Sequence, residues 1–304
     1  MYMTGYGSSV SINLFAHIFS SKRSQSTMEF DKENVLGRTF NGKDVAVKRI
    51  EKSAGLNLDK AAQELEEETM KNLDHPNVLK LLHVQDDNDF KYLILELCVG
   101  TIANYVNGTY KGEMPSEIEG MIQMASGLQY IHSKHFVHRD IKPANVLISK
   151  TSSTFVLKIS DFGLSRTVTT TSGSFAMTSG PKGTRVYYSP EFLFTEGKTK
   201  EEKEQIRVNV SIEVFSLGCL FFNYLTKGGH PFANGGRPNE VLTPASIQKG
   251  EKVLDGEMGL PKNHYAYAMI EGMTEKIPED RWKLEKVLET LNAKAKSAQT
   301  DEIQ

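Results

Sequence analysis

The sequence predicts an α+β fold in two parts, a small β-rich N-terminal part and a larger, mainly helical C-terminal part. Three observations carry that expectation. Between Glu29 and Cys98 short apolar runs of strand character dominate, broken by one strong turn signal and one helix-patterned stretch. From Met121 onward, apolar residues recur at helical spacing: Met121, Ala125, Leu128 and Ile131. Shortly after Ile131 lies FVHRDIKPANVLIS, Phe136 to Ser149, which packs an acid, bases and an amide between apolar runs, as a chemically active loop held by buried strands would. A chain of 304 residues with 39% apolar content is long enough for one large domain or two lobes with a sizeable core.

Taken in order, residues 1–28 lack Asp and Glu, are rich in Ser and carry one apolar run, VSINLFAHIF, followed by Lys22 and Arg23. That run is too short to span a bilayer, and a secretory signal would carry its positive charge ahead of the run. A disordered extension is expected, with Met28 a candidate alternative start. Next, VLGRTF and KDVAVKRI flank Asn41-Gly42, a pair favoured in two-residue hairpins because both central positions need positive φ. Leu58 to Leu73 has helical periodicity, with Leu65, Thr69, Met70 and Leu73 on one face. HPNVLKLLHV and FKYLILELC then supply two more strands. In the second part, Met121 and Met124 are expected in the core. VFSLGCLFFNYL is apolar on all sides, as a buried helix is, and EGKTKEEKEQ is a solvated loop or helix.

The loop carries the chemistry. Asp140 and Asn145 lie five apart with Lys142 between them. In a loop, such a carboxylate can accept a hydroxyl proton, the ammonium can face a phosphoryl group and the amide oxygen can bind Mg²⁺. Downstream, KISDFGLSR places Asp161 at the tip of an apolar strand. Thirty-six Lys and Arg against 38 acids give a net charge of −2, which makes no case for nucleic acid or an anionic membrane as obligatory partner. Two cysteines form no disulfide framework, so a reducing, cytoplasmic setting is expected. The histidines do not fall into a metal-binding pattern.

With H-R-D-x-x-x-x-N followed by D-F-G, and Lys48 in VAVK, the chain resembles the protein kinases. The resemblance implies a two-lobed kinase fold with N-lobe and hinge over 29–98, C-lobe over 99–293 and a polar tail over 294–304. It implies ATP and Mg²⁺ as cofactors and a protein substrate, and Lys142 implies Ser/Thr specificity. Asp140 would be the base, Lys142 would neutralise transferred charge, and Asn145 and Asp161 would hold magnesium. Lys48 would hold the α and β phosphates and pair with an acid of the Leu58–Leu73 helix. Family spacing back from His75-Pro76 selects Glu66, beside Glu67 and Glu68. Glu96 to Cys98 would be the hinge whose backbone meets adenine, with Leu95 at its back wall.

Further correspondences follow from the same resemblance. Ser165 to Ser179 would be the activation loop, phosphorylated within Thr169–Ser174 with Arg139 as a partner. Thr184 would contact Asp140 and Lys142. Ser189-Pro190-Glu191 stands for A-P-E, and Glu191 would pair with Arg281. Glu213 occupies the place of an aspartate that ties a helix to the catalytic-loop backbone, and its extra methylene is expected to loosen that tie. The phosphate-covering G-x-G-x-x-G-x-V is not matched: only Gly37 and Gly42 are present, and Gly42 serves the turn. A glycine loop and part of a strand are expected to be missing.

LELCVGTIANYV, SGLQYIHSKHFVHRDIKPANVLIS and FSLGCLFFNYLTKGGHPF most resemble the inositol-requiring kinase/endoribonucleases of the unfolded protein response. That implies a stress pathway, a homodimer for trans-autophosphorylation and the cytosolic face of the endoplasmic reticulum. No membrane span is expected in this chain. The 23 residues after Arg281 are too few for a nuclease domain, so RNA cleavage is not expected. The competing expectation is a pseudokinase scaffold that keeps the fold and binds nucleotide or partners with little catalysis.

Overall fold

The computed structural model of the chain describes residues 38–52, 57–168, 174–176 and 184–301. The expectations for residues 1–28, for Gly37 and for most of the Thr169–Ser174 cluster lie outside the described residues.

The N-terminal lobe is built on one antiparallel sheet. Strands β1 (Arg38–Phe40), β2 (Lys43–Glu51), β3 (Leu81–Asp86) and β4 (Phe90–Glu96) stand in the order β1-β2-β4-β3, and helix α1 (Asn57–Asn72) crosses between β2 and β3. Asn41 and Gly42 close the β1–β2 hairpin at φ 49° and 77°, so the two-residue turn adopts the left-handed geometry that Asn-Gly favours. Side chains alternate across a strand, and β2 uses this to separate two jobs. Val45 and Val47 pack with Tyr92 and Ile94 in a small outer cluster. Ala46 joins the main core on the opposite face, and Lys48, two residues on, shares that face. Register pairs Lys48 with Leu93 and Ala46 with Leu95.

The larger lobe is mainly helical. Its elements are β5 (Gly100–Thr101), α2 (Ile102–Val106), α3 (Glu117–Ser133), β6 (Phe136–Val137), β7 (Val146–Lys150), β8 (Phe155–Ile159), β9 (Arg166–Thr167) and β10 (Ser174–Ala176). There follow α4 (Pro190–Leu193), α5 (Lys200–Gln205), β11 (Arg207–Asn209), α6 (Ser211–Leu225), α7 (Leu242–Lys249), α8 (Tyr267–Met273) and α9 (Leu284–Asp301). Thr101 and Ser116 cap α2 and α3 with side-chain oxygens that accept the N–H groups of Asn104 and Glu119. Helix α6 is the spine of the lobe: Phe215, Leu217, Cys219, Leu220, Phe221 and Phe222 are all fully buried, as its apolar circumference requires. Met121 and Met124 lie in the same core. The charge-rich insertion resolves into α5, started by a Thr199–Glu202 capping box, and α9 carries the helix through most of the polar tail to Asp301. Among the described residues, no helix is long and apolar enough to cross a membrane.

The lobes meet at a backbone seam as well as at the connecting chain. Asn77 accepts the Ile159 N–H at 2.9 Å, Leu79 donates to the Ile159 carbonyl at 2.8 Å, and the Asn77 side chain donates to the Leu157 carbonyl. Gly127 on α3 permits this approach, since a Cβ there would lie 2.5 Å from the Asn77 oxygen.

Candidate active site

Short strands on either side hold the Phe136–Ser149 loop. Phe136 and Val137 pair with Thr167 and Arg166, and Val146–Lys150 pairs with Phe155–Ile159. Between these anchors Arg139 takes φ +70°, unusual for a residue with a Cβ. Two hydrogen bonds orient His138: its Nδ1 accepts the Asp140 N–H at 3.2 Å, which leaves Nε2 to donate to the Ser160 carbonyl at 2.8 Å. Its ring meets Phe162 edge-on at 5.1 Å, and Phe162 is 1% exposed. The loop and the segment around Asp161 are thus locked to one another by a histidine that sequence reasoning treated only as part of a motif.

Asp140 lies at the centre, 7% exposed. Its Oδ2 accepts from Lys142 Nζ at 2.6 Å and from Asn145 Nδ2 at 2.9 Å. Asn145 Nδ2 also donates to the Asp140 carbonyl at 2.9 Å, so the amide cross-links the loop to itself. Lys142 continues to Thr184 Oγ1 at 3.0 Å, and the Thr184 N–H faces Asp140 Oδ1 at 3.4 Å. Thr184 therefore stands on the two residues to which its motif position pointed.

From the sheet side, Lys48 Nζ reaches Glu66 Oε1 at 2.5 Å and Asp161 Oδ1 at 3.4 Å. Burial alone would disfavour the Lys48 ammonium, but the two carboxylates outweigh it and raise its pKa above the usual lysine value. Glu67 turns away, to Lys71 and Lys91, which distinguishes it from Glu66. Asp161 adopts φ +66°, a left-handed conformation that brings its carboxylate toward Lys48 while Phe162 enters the core. Asp161 follows Ser160, whose N–H donates to the Asn145 carbonyl at 2.9 Å, so the Lys48–Glu66–Asp161 cluster stands next to the segment that carries Asp140 and Asn145.

In the segment expected to form the hinge and its back wall, Leu95 is 6% exposed and Cys98 2%. Burial pushes the Cys98 thiol up to about 12, so its side chain is no nucleophile. The Glu96 N–H is committed to the Lys80 carbonyl at 3.2 Å, and its carboxylate to the Lys80 N–H and to Lys158 at 3.0 Å. Lys158, which has no motif around it, was not legible from sequence.

One expectation is overturned. Glu213 does not loosen the tie between α6 and the catalytic loop: its Oε1 accepts the Arg139 N–H at 2.5 Å, and the added length lets Oε2 take a second partner, His132 Nε2, at 2.7 Å. His132 is correspondingly more than an isolated residue near a helix end. Arg139 itself is buried beside Phe192, and burial together with nearby Arg166 lowers its pKa to about 10. Further out, Arg281 makes a bidentate pair with Glu191 at 2.8 and 3.1 Å.

The donor set fits Mg²⁺ with a nucleotide. Among the described residues no cluster of three or more His, Cys, Asp or Glu side chains could cage a metal by itself. Magnesium keeps waters and uses one or two carboxylates with substrate phosphates, so the hard oxygens of Asp161, beside the Lys48 ammonium, and of Asn145 suit it.

A β-rich lobe with a Lys–Glu pair, set over a helical lobe that carries an Asp–Lys–Asn loop, is the architecture of a protein kinase. The family model for the protein kinase domain matches residues 35–291, and the chain belongs to that family. It is 31% identical over 259 residues to the serine/threonine-protein kinase/endoribonuclease ire-1 of Caenorhabditis elegans, covering 82% of this chain and 24% of the relative. It is 32% identical over 233 residues to the serine/threonine-protein kinase/endoribonuclease IRE2 of Homo sapiens, covering 72% and 24%. A calcium-dependent protein kinase 5 from Plasmodium berghei is 32% identical over 217 residues, 70% of this chain and 34% of the relative. The chain thus spans about a quarter of the length of the first two.

Proposed function

We propose that this chain is a protein serine/threonine kinase that transfers the γ-phosphoryl group of ATP to a Ser or Thr hydroxyl. The observation that carries this reading is a pair of charged clusters, Lys48–Glu66–Asp161 and Asp140–Lys142–Asn145–Thr184, joined where the Ser160 N–H donates to the Asn145 carbonyl at 2.9 Å. Asp140 would take the hydroxyl proton as the oxygen–phosphorus bond forms and the bond to ADP breaks. Lys142 would offset charge on the transferred group, and Lys48, held by Glu66, would orient the α and β phosphates. Asp161 and Asn145 would hold Mg²⁺, which supplies charge neutralisation at the phosphate oxygens. The backbone from Glu96 to Cys98 would meet the adenine. Phosphate on the activation loop, added by a second copy of the chain, would gain Arg139 as a partner. The likeness to kinase/endoribonucleases supports a stress pathway resembling the unfolded protein response.

Two measurements test this. Asp161→Ala is expected to weaken Mg·ATP binding and peptide phosphorylation together, because it removes both a metal ligand and a partner of Lys48. Unchanged nucleotide affinity in that variant would overturn the assignment. The second concerns the phosphate cover. Backbone donors of a glycine loop are each worth about 10²- to 10³-fold in comparable anion sites. Inserting a G-x-G-x-x-G-x-V hairpin after Gly37 is therefore expected to raise turnover by at least that factor and to tighten ATP binding. A native chain already working at an ordinary kinase rate of about 1 to 100 per second would show that Gly37 to Gly42 suffices.

A further inference from the structure

Helix α6 ends at Leu225, and two residues later Lys227 takes φ +54°. Just past a helix end that conformation belongs by preference to glycine, and a residue with a Cβ holds it under strain. The turn itself is well bonded. The Gly228 N–H donates to the Asn223 carbonyl at 2.9 Å, Thr226 Oγ1 to the Phe222 carbonyl at 2.6 Å, and the Gly229 N–H to Thr226 Oγ1 at 3.0 Å. None of these bonds uses the Lys227 side chain. Its ammonium instead donates to the Tyr105 hydroxyl and stands 3.6 Å from the centroid of the Tyr105 ring and 5.5 Å from that of Tyr224. Those two rings lie 5.6 Å apart, tilted by 41°. A cation over an aromatic face is attracted by the electron-rich ring. Tyr224 belongs to α6 and is buried, so it is a fixed wall, whereas Tyr105 belongs to α2. Neither helix carries a basic residue in its last turn, so Lys227 brings a cation to a place where two helices end.

The helix that receives this contact is weak by itself. With five residues, α2 is too short to persist on its own hydrogen bonds. It depends on the Thr101–Asn104 capping box, on the fully buried Ile102, and on packing against β5, β7, α6 and the 3₁₀ turn Pro143–Asn145. That turn carries Asn145, and α2 begins four residues after Cys98. A shift of α2 would therefore be felt both at the end of the expected hinge and at Asn145, without touching Lys48, Glu66 or Asp161.

We propose that Lys227 is a positioning residue: its ammonium, laid on the face and hydroxyl of Tyr105, clamps α2 to the end of α6 and so holds α2 against the Pro143–Asn145 turn. The part of this inference that concerns Mg·ATP rests on the kinase reading; the clamp itself does not.

The test compares Lys227→Gly, which removes the ammonium and relieves the left-handed backbone, with Lys227→Arg, which keeps a cation. Hydrogen exchange with mass spectrometry is read on the full chain over Ile102–Tyr110, where the amides of Asn107, Thr109 and Tyr110 bond to the carbonyls of Ala103 and Asn104 at 2.9 to 3.0 Å. Loss of a cation–π contact corresponds to about 2- to 30-fold. Lys227→Gly is expected to speed exchange there by that range while the denaturant midpoint of the whole chain stays the same or rises, because glycine suits the turn. A contact that merely contributed to stability would lower both. Lys227→Arg is expected to restore protection. Tyr105→Leu is expected to match Lys227→Gly, and the two changes combined to exceed neither by much, because both remove one contact. Calorimetric titration of Mg·ATP is expected to show affinity weakened in the same range by Lys227→Gly and recovered by Lys227→Arg. Exchange over Ile102–Tyr110 unchanged in Lys227→Gly, or faster exchange with Mg·ATP affinity intact, would overturn the proposal. If the native chain binds no Mg·ATP, the kinase reading fails while the exchange result still decides the clamp.

Discussion

Asp140→Asn is expected to slow peptide phosphorylation by about 10²- to 10⁴-fold, the range that general-base groups supply, while ATP binding is retained. The geometry explains the separation. Asp140 is 7% exposed and spends Oδ2 on Lys142 and Asn145, leaving Oδ1 toward the Thr184 N–H. An asparagine of the same shape cannot accept a proton, and its NH₂ must face a donor already present at Lys142, Asn145 or the Thr184 N–H. The groups that would bind nucleotide, Lys48, Glu66 and Asp161, make no hydrogen bond to Asp140 and keep their pairing. Initial rates at saturating ATP, together with calorimetric titration of Mg·ATP, check this. Equal turnover in the two proteins would remove Asp140 from the role of base.

Arg281→Ala is expected to destabilise the larger lobe by about 3 to 5 kcal/mol, the cost of leaving the partner of a buried ion pair alone. The Arg281 side chain is fully buried. It forks onto both Glu191 oxygens, donates to the Ser211 carbonyl at 2.9 Å and to the Glu275 carbonyl at 3.0 and 3.1 Å, and lies 5.2 Å from the Phe215 ring centroid. Truncation would strand a carboxylate and the carbonyls of Ser211, Glu275 and Lys276 around a void next to the core. Arg281→Lys should rescue little, because a point charge cannot serve these acceptors in the plane of a guanidinium. Removing both partners, Glu191→Ala with Arg281→Ala, should cost less than the sum of the two single changes. Denaturant unfolding measures all four variants, and a loss under about 1 kcal/mol for Arg281→Ala would contradict this account.

The parts of the site legible in the sequence are those in which residue type and spacing are both constrained. Asn41-Gly42 announces its hairpin because few other pairs tolerate positive φ twice. Family spacing selected Glu66 from three adjacent acids, and helical geometry turns Glu66 toward Lys48 and Glu67 toward Lys91. Thr184 and Arg281 were identified by motif position, and their partners lie where that position pointed. His132, Lys158 and Ser160 were not legible. Each acts through contacts with residues far along the chain: His132 with Glu213, Lys158 with Glu96, and Ser160 with His138 and Asn145. Such contacts depend on how helices and strands stack, which periodicity does not encode. Glu213 was misjudged for a related reason. A longer side chain weakens a tie only if the helix stays where a shorter one would need it, and here the extra reach is used by a second partner.

The seam at Asn77–Leu79 has a mechanical consequence. Among the described residues, main-chain links fasten the smaller lobe to the larger at two places, the covalent crossing after Glu96 and the stitches between Asn77–Leu79 and Leu157–Ile159, packed onto Gly127. Two fastenings define a line, and rotation about that line is the movement that breaks neither. Lys48 stands off the line on β2, as a point on a swinging door does, whereas Val78, bridged to Ile159, behaves as its pintle. A swing about this axis changes the gap between Lys48 and Asp161 while the stitches at Ile159, two residues before Asp161, stay closed. A side chain at position 127 would push the pintle out of its socket and let the door hang loose.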